Sequence, residues 1–385
     1  MDFELTEEQR MVQEMVRLFV DKELKPVASG LDRDGVYPQE QLTKLGEVGL
    51  LGMFVPEEYG GAGMDFLSYV TALEELSKVW ASVGTIVSVN NSLMCGPILR
   101  FGTDAQRKRY LPLVARGEWL GCYALTESDA GSDAGSIRTR AVRKSDHYVL
   151  NGSKAFTTNG NRANLALVYA VTDPAEGKQG ISAFLVERNT PGFVVNKIED
   201  KLGLRSSETA ALSFEDCQIP RENLLGREGE GLAIALKTLD GGRIGIAAQA
   251  VGIAQGCLEE SLSYSQQRHQ FGHPIAEFQA IQWMLADIAT ELDAARLLTC
   301  RAAWLQEQER EVTHAAAMAK LFASEACNRA AYKALQIFGG YGYLKDFAIE
   351  RFFRDARVTT LYEGTSEIQR LIIARHLLRD QEHWA

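Results

Sequence analysis

Apolar and polar positions divide the chain into three regions of different periodicity. In the opening third, apolar residues recur at helical spacing after Thr6-x-x-Gln9, which has the pattern of a capping box. Helical patterns then follow over residues 39–48, 65–79, 82–100 and 104–115, with glycine and proline between them. This part of the sequence predicts an N-terminal all-helical domain over residues 1–121.

From about residue 122 the pattern becomes that of β-strands. Short apolar runs occur with turns between them, over residues 165–171, 181–186, 193–198 and 210–214. The dipeptide Asn151-Gly152 favours a tight hairpin, because both central residues of such a turn take positive φ. No helix-length pattern interrupts these runs. We therefore expect an antiparallel, barrel-like β-domain over residues 122–226.

After Gly226 the strand pattern stops and long helical patterns take over. They span residues 230–265, 277–308, 313–338 and 365–379, and their short connections predict a C-terminal four-helix bundle over residues 227–385. The interior of the first of them contains Gly241, Gly242, Gly245, Gly252 and Gly256, each costing about 1 kcal/mol against alanine in a helix. Repeated glycine predicts close approach of a neighbour or a ligand. The expected fold class is therefore α+β and multi-domain.

Composition narrows the classes of function. Lys and Arg total 41 against 51 Asp and Glu, a net charge of −10, which disfavours nucleic-acid binding. Six scattered cysteines with no C-x-x-C pair are expected to be free thiols in a reducing compartment. The acidic start lacks the features of a secretory signal, no apolar run is long enough to span a bilayer, and the histidines lack metal-ligand spacing. We expect a cytoplasmic protein without membrane insertion or a metal site.

Two glycine-containing segments have both a structural and a functional explanation. The polar loop over residues 123–133 has the composition of a hydrogen-bonded turn. The segment over residues 336–343 holds three glycines and two tyrosines where a long helix is predicted to end. A helix C-cap needs fewer glycines than this, so close backbone approach to a bulky ligand competes with the capping explanation.

The segment around Glu363 is the third unusual pattern. Ser366-x-x-Gln369 can cap the last helix, and an acid at Glu367 favours the positive end of the helix dipole. Glu363 precedes this cap and lies between an aromatic residue and a glycine. A carboxylate in an apolar crevice has a raised pKa, which suits a general base. From the residues alone, a structural acid and a general base both stay open.

Taken together, these segments resemble the signature series of the acyl-CoA dehydrogenases in order, spacing and total length. The matching segments are the loop over residues 123–133, Phe156-Thr157-Thr158-Asn159-Gly160, Asp240-Gly241-Gly242-Arg243, Arg268-His269-Gln270-Phe271-Gly272, the segment over residues 336–343, and Tyr362-Glu363-Gly364-Thr365. The resemblance covers essentially the whole chain. It implies the same order of domains, non-covalent FAD, and oxidation of an acyl-CoA thioester to the trans-2-enoyl-CoA.

The resemblance also implies which positions contact the cofactor and the substrate. Those expected beside the flavin are Tyr123, Leu125, Thr126, Gly131 and Ser132 in the loop and Phe156, Thr157 and Thr158 on the following strand. Those expected at the diphosphate and adenosine, some across a subunit interface, are Arg268, Gln279, Gln336, Ile337, Phe338, Gly339 and Gly340. Further FAD contacts are expected at Thr365, Ser366 and Glu367, and substrate contacts at Ser132, Asp240, Arg243 and Gly364.

By the same resemblance, Glu363 is the catalytic base. Members such as the isovaleryl-CoA dehydrogenases carry the base on the earlier helix, about where Gly242 stands here, and glycine cannot serve. Glu363 would remove the α-proton while flavin N5 accepts the β-hydride. A backbone N–H at the catalytic Glu and a flavin ribityl hydroxyl would stabilise the developing enolate.

Four hypotheses about function follow. The favoured one is dehydrogenation of a short straight-chain acyl-CoA, with electron-transfer flavoprotein as acceptor and a homotetrameric assembly, both implied by the resemblance. The alternative substrate is a short branched acyl group, 2-methylacyl or isobutyryl. A third hypothesis is an oxidase that passes electrons to oxygen, and a fourth is a helical interaction protein without catalytic chemistry.

Overall fold

Seven α-helices form the N-terminal part of the structure, a computed structural model that describes residues 4–379. They are Glu7–Phe19 (α1), Lys25–Asp34 (α2), Gln39–Glu47 (α3), Phe66–Val79 (α4), Ala81–Ser88 (α5), Gly96–Phe101 (α6) and Asp104–Ala115 (α7). The outermost residues of the predicted first and third domains, 1–3 and 380–385, lie outside the described residues, as does part of the acidic start. The predicted helical region is confirmed.

Local signals set the helix boundaries here. At the start of α1, the Gln9 N–H donates to Thr6 Oγ1 (3.2 Å) and the Thr6 N–H donates to Gln9 Oε1 (3.0 Å), so the predicted capping box is present. The single helix predicted over residues 82–100 is instead α5, a π-helical segment at Val89–Cys95, and α6. α4, α5 and the π-helical segment are almost wholly buried and form the core of this region.

Eight strands form one sheet in the middle of the chain. They are Gly121–Ala124 (β1), Arg140–Arg143 (β2), His147–Thr158 (β3), Leu165–Val171 (β4), Ile181–Glu187 (β5), Phe193–Ile198 (β6), Thr209–Pro220 (β7) and Leu224–Leu225 (β8). Their order is β6-β7-β3-β2-β4-β5-β8, and β1 also pairs with β4. Most neighbours are antiparallel, while β1 and β2 each pair parallel with β4. The predicted β-region is confirmed, with two parallel pairings added.

The hairpin predicted at Asn151-Gly152 is wrong. β3 runs without a break from His147 to Thr158 and pairs along its length with β7. Gly152 (φ +146°) lies at a register shift between these strands, and a Cβ there would come within 2.6 Å of Thr139 Oγ1. Glycine is therefore needed here for a β-bulge and for the close approach of Thr139. The prediction failed because the long-range pairing of β3 with β7 overrides the local turn signal.

Five helices and one short hairpin follow. They are Gly231–Gln267 (α8), His269–Gln270 (β9), His273–Pro274 (β10), Gln279–Glu307 (α9), Thr313–Phe338 (α10), Ile349–Val358 (α11) and Ser366–Arg379 (α12). The four predicted bundle helices are α8, α9, α10 and α12, and they are confirmed. The sequence pattern missed α11, because Arg351 and Asp355 on its buried face interrupt the apolar spacing. The predicted α+β multi-domain fold class is confirmed.

The glycines of α8 make room for the neighbouring backbone. A Cβ at Gly252 would lie 2.4 Å from the Glu74 oxygen in α4, and a Cβ at Gly256 would lie 2.5 Å from the Lys78 oxygen. At the start of the helix, a Cβ at Gly231 would lie 2.5 Å from the Ser182 carbonyl carbon in β5. The predicted close approach is therefore confirmed, and α8 contacts both the N-terminal helices and the sheet.

The cysteines, the membrane-spanning potential and the metal-binding potential of the described residues can be compared with the expectations from composition. Each of the six cysteines is a free thiol, and only Cys300 is not fully buried. No helix within residues 4–379 is long and apolar enough to cross a membrane. Over the same range, the His, Cys, Asp and Glu side chains form no group of three or more that could hold a metal ion. The cytoplasmic location stays a prediction.

Candidate active site

Glu363 lies in a tight loop between α11 and α12. It has φ +51° and Gly364 has φ +94°, so two successive residues occupy the left-handed region, which a non-glycine residue rarely adopts. The Ser366 N–H closes the loop by donating to Thr360 O (3.0 Å). Glu363 is half-buried as a residue, but its Oε2 is shielded from solvent and accepts no hydrogen bond among residues 4–379.

The capping box predicted from Ser366 and Gln369 is wrong by one residue. α12 begins at Ser366, and Thr365 Oγ1 accepts a hydrogen bond from the Ile368 N–H (3.3 Å). The Gln369 Nε2 donates instead to the Gly364 oxygen (2.9 Å). The side chain that was expected to cap the helix therefore holds the loop beside Glu363.

Gly242 of α8 faces the Glu363 carboxylate. A Cβ at Gly242 would lie 2.0 Å from Glu363 Oε2 and 2.9 Å from Leu93 Cδ2 in the π-helical segment. A side chain at this position would occupy the space of the carboxylate. The two positions at which the resemblance allows a catalytic base thus meet in space, although they are far apart in the sequence.

Two buried cations act on Glu363. Burial raises the pKa of Glu363 to about 7, although the positive charges of Lys320 and Arg243 lower it. Lys320 of α10 is fully buried, donates from Nζ to the Gly364 oxygen (2.7 Å), and has its pKa lowered by burial to about 8. Sequence reasoning missed Lys320; the available signal was one lysine within the alanine-rich stretch over residues 315–323.

Arg243 is paired within its own helix. Its Nη1 lies 2.7 Å from Asp240 Oδ1, and the Thr313 hydroxyl donates to the other carboxylate oxygen of Asp240 at 2.7 Å. Both charged side chains are buried, and burial raises the pKa of Asp240 while Arg243 opposes the shift. The pair fixes a guanidinium on the same part of α8 as Gly242.

The segments predicted to line a flavin lie next to each other at one end of β1 and β3. The Ala155 N–H of β3 donates to the Thr126 oxygen (2.8 Å), which joins the loop after β1 to the end of β3. The Tyr123 hydroxyl donates to the Ala235 oxygen of α8 (3.4 Å). Burial raises the pKa of Tyr123, and the negative charge of Glu363 adds to this shift. The structure therefore brings this end of the sheet close to Glu363.

The other predicted residues of this wall differ in exposure. Leu125 is buried, Gly131 and Ser132 are exposed in the loop, and Phe156 is 68% exposed at φ +53°. Thr158 is half-buried, as the last residue of β3. Four further predicted contacts lie at the start of α12 and just before it. Gly364, predicted for the substrate, and Thr365 are half-buried, Ser366 is buried and Glu367 is exposed.

A second candidate site is a groove of about 640 Å³ at the far ends of α8 and α10. Tyr264 stacks on Phe338 with ring centroids 4.0 Å apart, and the Arg268 guanidinium lies 5.3 Å from the Tyr341 ring centroid. Ile337, Gly339 and Gly340 also line the groove. Gln279 and Gln336 are next to lining residues in the sequence but do not line it themselves.

The groove and the Glu363 cluster are not brought together within one chain. Arg268 and Gly242 both belong to the α8 region and are 26 residues apart, about 39 Å along the helix axis at 1.5 Å per residue. A single FAD with its flavin ring beside Glu363 would have to span this whole length to reach the groove of the same chain.

The residues present fit a flavin dinucleotide. Thr157 Oγ1 on β3 and Ser366 Oγ on α12 are both buried and have no hydrogen-bond partner within the described part of the chain. Such orphaned hydroxyls suit the polar edge of a bound ring. In the groove, a Cβ at Gly339 or Gly340 would meet no atom within 4 Å, so the backbone there is open to a ligand. Aromatic rings and a guanidinium are the groups that suit an adenine and a phosphate.

Comparison with protein families agrees with this arrangement. Three models match successive parts of the chain: the acyl-CoA dehydrogenase N-terminal domain at residues 6–118, the middle domain at 122–217 and the C-terminal domain at 229–378. The chain belongs to the acyl-CoA dehydrogenase family. The resemblance drawn from the sequence is confirmed, and this acyl-CoA dehydrogenase is a flavoprotein oxidoreductase by family.

Named relatives of this acyl-CoA dehydrogenase agree with one another. The mitochondrial short-chain specific acyl-CoA dehydrogenase of Rattus norvegicus is 52% identical over 376 residues, 98% of this chain and 91% of the relative. The solved butyryl-CoA dehydrogenase of Megasphaera elsdenii has a TM-score of 0.97 at 44% identity, covering 98% of this chain and 100% of that one. The hypothesis of a non-catalytic helical interaction protein is therefore wrong.

A third comparison concerns electron transfer. A chain solved in work on the electron transferring flavoprotein of Acidaminococcus fermentans has a TM-score of 0.98 at 50% identity to this acyl-CoA dehydrogenase. The match covers 99% of this chain and 100% of that one. The whole of the described architecture is thus shared with a chain studied for flavin-based electron bifurcation.

Proposed function

We propose that this enzyme dehydrogenates a short straight-chain acyl-CoA to its trans-2-enoyl-CoA, with Glu363 removing the α-proton. The observation that carries this proposal is the shielded, unpartnered Oε2 of Glu363 facing Gly242. A carboxylate oxygen without a hydrogen-bond donor keeps its lone pairs free to accept a proton. Its pKa of about 7 suits a general base near neutral pH.

The loop backbone supports the second requirement, stabilisation of the enolate oxygen. The main-chain N–H of Glu363 donates no hydrogen bond within residues 4–379 and is free for the thioester oxygen. The Gly364 carbonyl is held by Lys320 and Gln369, which fixes the loop in this conformation before a substrate binds. A donor fixed in advance stabilises a developing oxyanion without reorganisation.

The family is flavin-dependent, and we propose FAD as the cofactor of this chain. Bound FAD would supply the acceptor for the hydride that leaves the β-carbon. The loop after β1, the end of β3 and the start of α12 would hold its ring end, and their orphaned hydroxyls at Thr157 and Ser366 support this assignment. Ser132, Asp240, Arg243 and Gly364 stay the proposed substrate contacts.

A buried network next to Glu363 supports a short acyl group. The Tyr362 hydroxyl donates to Gln249 Oε1, and the Gln249 Nε2 donates to Ala81 O (2.8 Å) and Thr85 Oγ1 (2.6 Å). These hydrogen bonds join α8, α5 and the loop beside Glu363, and we infer that such a mutually satisfied network resists displacement by a long apolar tail. The names of the rat and Megasphaera relatives point to the same class. A short branched acyl group, 2-methylacyl or isobutyryl, remains the alternative.

We also propose that a second subunit completes the cofactor site within a homotetramer. The groove at Arg268 lies about 39 Å along α8 from Gly242, so it is better placed for the FAD of a neighbouring copy. Large apolar side chains are exposed on the bundle, with Trp283 at 64% and Tyr332 at 65% exposure, as an oligomer interface requires. We keep the proposed domains at residues 1–121, 122–226 and 227–385; the sheet runs from Gly121, the last residue of the first of them, to Leu225.

Electron-transfer flavoprotein is the proposed electron acceptor. The near-complete match to a chain from work on the Acidaminococcus electron transferring flavoprotein supports this partner. An oxidase would instead react directly with oxygen. Rapid reoxidation of the reduced flavin in air, with release of hydrogen peroxide, would favour that hypothesis over the proposed one.

The proposal is tested by anaerobic visible spectra of the wild type and Glu363→Gln after addition of butyryl-CoA. The wild type is expected to be yellow and to bleach. The variant should remain yellow and bind the ligand, with flavin reduction slowed by about 100- to 10,000-fold, because a glutamine amide cannot take the proton. Glu40→Gln, at an exposed position on α3, serves as the control.

Two results would contradict the proposal. Bleaching of Glu363→Gln at the wild-type rate would remove Glu363 as the base, and a colourless wild type that cannot be reconstituted would remove FAD. A wild type that bleaches with isobutyryl-CoA or 2-methylbutyryl-CoA and not with butyryl-CoA would replace the straight-chain substrate by the branched one.

A further inference from the structure

We infer that Lys320 is a positioning residue for Glu363, holding the loop through the Gly364 carbonyl and placing a cation beside the carboxylate. This inference rests on the proposed role of Glu363 as the base. It concerns a residue 43 positions earlier in the chain, on α10, which has no direct hydrogen bond to Glu363 within the described residues.

The Gly364 carbonyl group is held by two side chains. The Gly364 oxygen accepts from Lys320 Nζ at 2.7 Å and from Gln369 Nε2 at 2.9 Å. Glu363 has φ +51°, a conformation that a non-glycine residue keeps only where the surroundings impose it. Two buried donors on the carbonyl that follows provide that constraint from two different helices, α10 and α12.

The Lys320 ammonium group lies in an otherwise largely apolar part of α10. The side chain is fully buried, on a helix whose neighbouring buried positions are mostly alanine. Burying an ammonium group is costly unless it is paired, and a neutral side chain would pack here at lower cost. The Gly364 oxygen supplies one partner for this group, and the charge of Glu363 supplies the electrostatic compensation.

Charged groups on three other elements surround Lys320 together with one on its own helix. The groups that act on it are Glu363 in the loop, Arg243 on α8, Glu325 on α10 and Glu367 on α12. Arg243 is already paired with Asp240, whereas the Glu363 carboxylate oxygen Oε2 has no donor. Lys320 therefore favours the ionised form of Glu363 without contacting Oε2, so the carboxylate is charged and still free to accept a proton.

The test compares Lys320→Met, which removes both the donor and the charge, with Lys320→Gln, which removes the charge and keeps a donor. Lys333→Met is the matched control, since Lys333 is on the same helix and pairs with Asp287 away from the loop. For each variant, the limiting rate of anaerobic flavin reduction by butyryl-CoA is measured across the pH range in which Glu363 titrates. Binding of acetoacetyl-CoA, which the enzyme cannot dehydrogenate, is followed from the flavin spectrum.

Lys320→Met is expected to slow flavin reduction by about 10- to 100-fold, with acetoacetyl-CoA affinity changed by less than about threefold. The rising limb of its rate profile should shift to higher pH, because loss of a facing cation disfavours the ionised carboxylate. Lys320→Gln should recover part of the rate and keep the pH shift. Lys333→Met should match the wild type in both measurements.

A folded, yellow Lys320→Met with the wild-type rate and pH profile would overturn the inference. A rate loss that only follows loss of flavin and of ligand affinity, with an unshifted profile, would also overturn it, because that result indicates a structural role alone. If Lys320→Met does not fold, Lys320→Gln decides by the presence or absence of the pH shift. A wild type that no acyl-CoA reduces would instead refute the proposed function, and the inference with it.

Discussion

Gly242→Ala is expected to remove most of the activity and to leave the fold intact. The added Cβ would lie 2.0 Å from Glu363 Oε2 and 2.9 Å from Leu93 Cδ2. Ordinary contact begins near 3.4 Å, so the carboxylate oxygen has to move by about 1.4 Å. A displacement of about 1 Å in a reacting group costs about 100-fold in rate, which is about 2.7 kcal/mol of transition-state stabilisation.

Stability is expected to respond differently from activity. Alanine is favoured over glycine inside a helix by about 1 kcal/mol, which offsets the cost of moving the Glu363 carboxylate and the Leu93 methyl group, both at the ends of flexible side chains. We therefore expect the free energy of unfolding of Gly242→Ala to stay within about 1 kcal/mol of the wild type. Stopped-flow reduction of the flavin by butyryl-CoA measures the rate, and urea unfolding measures the stability.

The adjacent Gly241 supplies the control. A Cβ there would be 4.0 Å from its nearest neighbour, Ser92 Cβ, so Gly241→Ala adds a methyl group in open space on the same helix. It should match the wild type in rate. A Gly242→Ala rate within twofold of the Gly241→Ala rate would refute the argument that glycine is needed at 242 to seat the carboxylate.

Three other predictions concern the ionisation of Glu363, the buried pair of Lys154 with Glu127, and the capping box at the start of α1. The rate of flavin reduction at low butyryl-CoA should rise as the pH increases through about 7, because Glu363 has to be ionised to accept the proton; a flat profile there would contradict its raised pKa. Lys154→Met should lower the free energy of unfolding in urea by about 3–5 kcal/mol, because it leaves the Glu127 carboxylate buried without its cation; a loss below about 1 kcal/mol would contradict this. Thr6→Ala should cost about 1 kcal/mol in the same assay, and no change would mean that the capping box at α1 contributes nothing.

The long helices and the strand region could be predicted because their apolar spacing repeats over many residues. The failures came where a long-range contact outweighed a local signal. Asn151-Gly152 has the composition of a turn, yet pairing of β3 with β7 keeps it within one strand. α11 went unpredicted because its buried Arg351 and Asp355 form hydrogen bonds with the backbone of Val79 and Leu204, which are far away in the sequence.

The candidate site was predictable to the extent that its residues form local motifs. Glu363 stood out because no helix cap explained it, but its environment depends on Gly242 and Lys320, which precede it by 121 and 43 residues. A lysine inside a helix pattern is ordinarily expected at the surface, and only the packing of α10 against the loop shows that Lys320 is buried. The roles assigned to the predicted FAD and substrate residues stay predictions.

The length of α8 bears on how the molecule unfolds. Its 37 residues extend about 55 Å, with backbone contacts to β5 at Gly231 and to α4 at Gly252. The end of a helix can fray alone, whereas the middle of α8 lies between these two contacts and opens only when packing on both sides is lost. The three regions of the chain therefore share one cooperative element, and the backbone amides in the middle of α8, around Gly242, should be among the slowest to exchange with solvent.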